Sequence, residues 1–286
     1  MSPGPCAAPR AARWVRGTQR PGLVMLAGIT LVCAGCGGGS GVPTTAATST
    51  APTTTGTAPS PIASLATECH TGTAGFRRTV LRTADGVRLA AAESGSGATA
   101  VILVHQADTT LCDWLPYARR LRAQARVLAL DLRGYGASDG AVERAAIGRF
   151  DRDVAAAVRR VRREGARRVV LIGASMGGAV VLSAAGRIHP TVSAVVSLSA
   201  PAEWPDITPG RAARRLRIPL ILAAGAQDSG FAQDARTLAR LAAANPRARL
   251  VILDSAHHGV QLVDGRDAQA SRIDGLIRST IASVAG

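Results

Sequence analysis

A single serine between glycines carries the strongest chemical signal in the chain. Gly173-Ala174-Ser175-Met176-Gly177 reads GxSxG, and Gly178 follows directly. Before it lies the unbroken apolar run Val169-Val170-Leu171-Ile172, which suits a strand covered on both faces of a parallel sheet. After it, small and apolar residues continue to His189-Pro190, so a helix follows the strand without a spacer. A turn that sharp lifts the Ser175 hydroxyl clear of the sheet, and only small flanking residues let strand and helix come so close. The helix start also aims free backbone N–H groups at the place where an oxyanion would form. Such a serine is suited to nucleophilic attack on an acyl carbon.

This junction resembles the nucleophile elbow of the α/β-hydrolase family, and the resemblance extends over about residues 76–284. In that family the serine, acid and histidine follow in this order along the chain. The resemblance therefore implies Asp228, in AAGAQDSGF, as the acid and a histidine of LDSAHHGVQL as the base. Of the adjacent His257 and His258, His258 directly precedes Gly259, as the catalytic histidine of the family often precedes a small residue. His257 is then a loop histidine packed against the site. Glu203 is the reserve acid, and Asp254 closes its strand. The same resemblance implies an oxyanion hole from the backbone N–H groups of Gln106 and Met176. Gln106 stands where relatives carry glycine, and its side chain is expected to crowd the acyl pocket. His105 is read as a structural brace and Asp131, in DLRGYG, as architectural. The implied reaction is acyl transfer to water through an acyl–Ser175 intermediate on a small carboxylic ester, with no metal or organic cofactor. A peptidase or thioesterase with the same triad, or a catalytically silent cell-surface binding protein, remains open.

Strands and helices that alternate along the chain must position these residues. Residues 79–82 and 87–92 flank Asp85-Gly86 as an antiparallel hairpin, and apolar runs at 100–104, 127–130, 192–198, 220–223 and 250–253 read as further strands. Phe150, Val154, Val158 and Val161 recur at helical spacing, as do Ile273, Ile277, Ile281 and Val284. The pattern predicts an α/β fold: a doubly wound, mostly parallel sheet of the α/β-hydrolase type. Each implied catalytic residue falls in a loop past a strand's carboxyl end, where such sheets bind ligands. The 21 residues of segment 199–219 leave room for a loop and one short helix, hence a minimal cap and an open site.

The formal charge of +15 suggests nucleic acid at first sight. All 34 basic residues, however, are arginines, spread over helix faces with no aromatic-interleaved stripe, so no nucleic-acid partner is expected. Arg10, Arg13, Arg16 and Arg20 precede an apolar stretch that ends in Cys33-Ala34-Gly35-Cys36. Residues 1–36 resemble a bacterial lipoprotein signal with Cys36 as the lipidated residue; a plain secretory signal cleaved nearby is the alternative. Export follows in either case, and lipidation would anchor the protein to the cell membrane. Residues 37–67, rich in Thr, Ala, Pro and Gly and without charge, are expected to form a disordered tether ahead of a domain at 68–286. Cys69 and Cys112 are left as an even pair in an oxidising compartment, either a disulfide or two buried thiols.

Overall fold

The computed structural model describes residues 61–286. The expected leader, Cys36 and most of the expected tether lie outside the described residues.

A short helix α1 (Leu65–Cys69) comes first, followed by the hairpin β1 (Arg77–Arg82) and β2 (Arg88–Ser94). Strand β3 (Thr99–Val104) leads through a 3₁₀ turn (Leu111–Trp114) into α2 (Leu115–Leu121) and β4 (Arg126–Leu130). Helices α3 (Arg144–Ile147) and α4 (Phe150–Arg163) precede β5 (Arg168–Ala174) and α5 (Met176–Ala185). Strand β6 (Ala194–Leu198), α6 (Pro209–Arg215), β7 (Leu220–Gly225), α7 (Phe231–Leu241) and β8 (Ala248–Leu253) follow. Helices α8 (Gln261–Asp264) and α9 (Ala268–Ala285) complete the chain.

The eight strands form one sheet in the order β1-β2-β4-β3-β5-β6-β7-β8. Strand β2 runs antiparallel to both β1 and β4, and from β4 to β8 all neighbours are parallel. The architecture is therefore the doubly wound, mostly parallel sheet that the alternating pattern predicts. Central β5 is buried on both faces, which explains its lack of polar alternation: Val169 and Leu171 join the core beneath α4 and α5, while Val170 and Ile172 join the core beneath α2 and α9. Every residue of α5 is buried, as its all-round apolar sequence requires of a central helix. Between β6 and β7 stands one short helix, α6, preceded by a Trp204–Ile207 bridge.

Two connections draw the edges toward the centre. Arg133, beyond β4, is buried and binds the carboxylates of Asp153 on α4 (2.6 Å) and Asp85 in the hairpin turn (2.8 Å). The second lies at α1, which begins inside the stretch 37–67 read as tether. Ser64 caps it by accepting from the Thr67 N–H at 3.1 Å, and Leu65 is buried in the core. Cys69 at its end is bonded to Cys112 in the 3₁₀ turn, with Cα atoms 5.3 Å apart. The bond spans 43 residues, a separation for which chain-entropy scaling gives a stabilisation of about 4 kcal/mol. Peptide mapping after alkylation without reductant should find both cysteines unmodified. Replacing the pair with serine should lower the unfolding free energy by about 2–4 kcal/mol in urea titrations.

Candidate functional site

Ser175 occupies the sharp turn between β5 and α5 with φ 49° and ψ −117°, a conformation that L residues rarely adopt. Packing compels it. A Cβ on Gly173 would collide with the Gly177 carbonyl, and one on Gly177 would meet the carbonyls of Val104 and His105 on the neighbouring strand. The turn thus closes only with glycine at both places, and the Ser175 N–H is fixed to the Leu198 carbonyl of β6 at 2.7 Å. Met176 opens α5, so its N–H is one of the first-turn donors that have no partner within the helix.

The loops after β7 and β8 meet beside this turn, where Gly259 lies against Ala174. Asp228, past the end of β7, is buried, and both its oxygens lie 3.0 Å from Nδ1 of His258, past the end of β8. Its side chain does not cap α7, whose N-cap is Gly230. The Phe231 ring packs on the His258 ring at 4.4 Å and limits its rotation. His257 turns the other way, toward Asp267 at the start of α9 (3.4 Å), and its side chain is 45% exposed. Glu203 is exposed and lines a cavity of about 500 Å³ with Trp204, Ile207 and Leu241, apart from the histidine. Asp254 accepts from the Gln227 side chain at 2.9 Å beyond β8. Among the described residues no three His, Cys, Asp or Glu side chains converge as metal ligands.

His105, past β3, is fully buried with both ring nitrogens engaged. The Leu132 N–H donates to Nε2 (3.1 Å), which leaves the proton on Nδ1 to donate to the Gln106 carbonyl at 2.7 Å. Burial lowers its pKa to about 4, so the ring is neutral and braces the loop. The Gln106 side chain departs from expectation. Instead of crowding an acyl pocket, its Oε1 accepts from the Val260 N–H at 3.3 Å and lies where a Cβ on Gly259 would be. Gly259, at φ 57°, therefore suits the histidine loop on two counts. Spacing alone does not reveal this strut between the loops after β3 and β8.

Asp131 supports the same loop from below. It accepts from the Leu111 N–H (2.8 Å) and the Ala137 N–H (3.3 Å) and faces the carboxyl of Glu68 of α1, itself paired with Arg78. Burial, then the Glu68 carboxyl, push Asp131 well above the usual carboxylate range, which favours its protonated form. The sequence marked Asp131 as architectural, but nothing in the local pattern around Glu68 pointed to its partner.

A profile described as the alpha/beta hydrolase fold matches residues 99–214, from β3 into α6. The dihydrolipoyllysine-residue acetyltransferase component of an acetoin cleaving system from Pseudomonas putida is 39% identical over 108 residues, 38% of this chain and 28% of that protein. The chain thus spans under a third of that relative's length. An esterase of Pyrococcus furiosus superposes with a TM-score of 0.63 at 19% identity, covering 72% of this chain and 93% of the other. A putative aryl esterase from Burkholderia cenocepacia gives 0.59 at 20% identity (72% and 100% covered), and the enol-lactonase of Burkholderia xenovorans LB400 gives 0.60 at 17% (71% and 100%). The fold is that of the α/β hydrolases.

The Asp131 carboxyl makes stability depend on pH. Its folded pKa lies above its unfolded value of 3.8, so the stabilisation is full below that value and is lost as pH rises to about 8. Urea midpoints of the native chain should therefore fall between pH 5 and pH 9. Asp131→Asn should flatten that dependence.

Proposed function

We propose that this chain is an exported serine hydrolase that cleaves small carboxylic esters, lactones included, with Ser175 as nucleophile, His258 as base and Asp228 as the acid that orients it. The observation that carries the reading is the Asp228 carboxylate on His258 Nδ1 at 3.0 Å, beside a serine held at φ 49° on a strand-to-helix turn. The three superposable structures, two named as esterases and one as a lactonase, support an ester substrate. In the reaction His258 Nε2 takes the Ser175 proton as Oγ bonds to the acyl carbon. The oxyanion lies against the N–H groups of Met176 and Gln106. When the tetrahedral species collapses, the imidazolium returns the proton to the leaving alcohol. Water then attacks the acyl–serine by the same path, and the acid is released.

The pinned Gln106 carbonyl favours a second reading of one donor. In a trans peptide the following N–H points opposite the carbonyl. With that carbonyl turned toward buried His105 and also accepting from Thr109 Oγ1 at 3.3 Å, the N–H of Ala107 points away from the interior. The N–H of Ala107 is then the alternative to that of Gln106 as the second donor. The N-terminal leader and the Cys69–Cys112 bond support function outside the cytoplasm, with Cys36 as membrane anchor. Arginines scattered over the helices support no nucleic-acid role.

Hydrolysis of p-nitrophenyl esters of increasing acyl length by the full chain tests the proposal. Ser175→Ala and His258→Ala should each lower kcat roughly a thousandfold or more, while His257→Ala stays within about threefold of the native enzyme. Undiminished turnover by folded Ser175→Ala would remove the assignment.

A further inference from the structure

We infer that Ser199 is a positioning residue whose one hydroxyl couples the acid and the base; the inference rests on the triad proposed above. Ser199 directly follows β6 and is fully buried. Its φ of 48° lies in the left-handed region that non-glycine residues rarely occupy, and its N–H is tied to the Ala223 carbonyl of β7 at 2.7 Å. A strained, buried serine kept where glycine fits better points to work for its side chain.

That work is visible in its partners. Ser199 Oγ lies 2.7 Å from Asp228 Oδ2 and 3.0 Å from the Gly259 backbone nitrogen. The Gly259 N–H can only donate, so it uses a lone pair of Oγ, and the hydroxyl proton goes to the carboxylate. A single oxygen atom therefore joins the loops after β6, β7 and β8, holding Asp228 on one side and the residue next to His258 on the other. It fixes the distance across which the carboxylate meets Nδ1. It also withdraws charge from Oδ2, which tempers how strongly Asp228 stabilises the imidazolium.

Among the described residues, Asp228 is the charged group bonded to the imidazole, the Phe231 ring packs on it without charge, and His257 is turned to Asp267. Loss of the Ser199 hydroxyl leaves more charge on the Asp228 carboxylate that faces the imidazole, so the acid limb of kcat/KM should move to higher pH.

Ser199→Gly and Ser199→Ala separate the hydroxyl from the backbone. Glycine relieves the positive φ while alanine keeps it, and neither has a hydroxyl. In the full chain both variants should lose roughly tenfold in kcat with KM within about twofold of native, and both acid limbs should rise by about half a pH unit or more. Thermal unfolding shows whether each variant is folded, and Ser199→Gly should be at least as stable as Ser199→Ala. Native kcat and an unmoved acid limb in folded Ser199→Gly would overturn the inference, and so would a fall in kcat without a shift of the limb, the mark of a purely structural role. In either case an inactive Ser175→Ala measured alongside leaves the triad standing. An active Ser175→Ala removes the triad and this inference with it.

Discussion

The site depends on a backbone that cannot relax at Ser175. Its φ of 49° is unfavourable for a residue with a Cβ, a strain of about 1–3 kcal/mol, yet the approach of α5 to β3 and β5 leaves no other path. Glycine at 173 and 177 makes the approach possible, and the complete burial of α5 holds it. Hydrophobic packing of one central helix thus sustains the strain, and the strain presents the hydroxyl. The same helix start leaves the Met176 N–H beside that hydroxyl.

Around this fixed point the remaining groups arrive from neighbouring strand ends. Parallel register sets Val104 of β3 opposite Gly173 and Ser197 of β6 opposite the same residue, so His105 and Ser199 emerge on either side of the turn. Asp228 and His258 follow from the next two strands. Hydrogen bonds between loops then bring the separate segments into one arrangement: Gln106 to Val260, Ser199 to Asp228 and Gly259, His105 to Leu132. Burial divides the titrating groups by role. His105 is held neutral and the Asp131 carboxyl is pushed toward its uncharged form, both as supports, whereas His258 keeps a partly exposed ring (29%) with one nitrogen on a carboxylate.

Much of this could be read from residues alone, because the features concerned are local. The elbow needs small residues at fixed offsets from a serine, and β5 needs an apolar run long enough for a strand. The hairpin around Asp85-Gly86 and the long helix α4 follow from turn chemistry and spacing in the same way. Strand β6 begins at Ala194 rather than 192, since Val192 and Ser193 lead into the sheet before the regular ladder with β5 starts. What could not be read depends on distant partners. Helix α1 has one buried apolar residue and therefore no periodicity; Ser64 and Glu68 acquire their roles only from contacts made in the fold, whereas the Cys69–Cys112 bond is one of two readings that the cysteine count leaves open. The sequence AVVSLSAP does not set Ser199 apart from Ser197. Adjacent His257 and His258 are alike in type, and what distinguishes them is the carboxylate each one meets, Asp267 or Asp228.

Ser175, on this strained turn with His258 on Asp228 beside it, is the proposed nucleophile. The most direct measurement is reaction of the native full chain with a fluorophosphonate probe, followed by mass mapping of the adduct. One stoichiometric adduct on Ser175 is expected, formed far more slowly in His258→Ala and abolished by prior unfolding. A folded chain left unlabelled, or labelled on another serine, would contradict it.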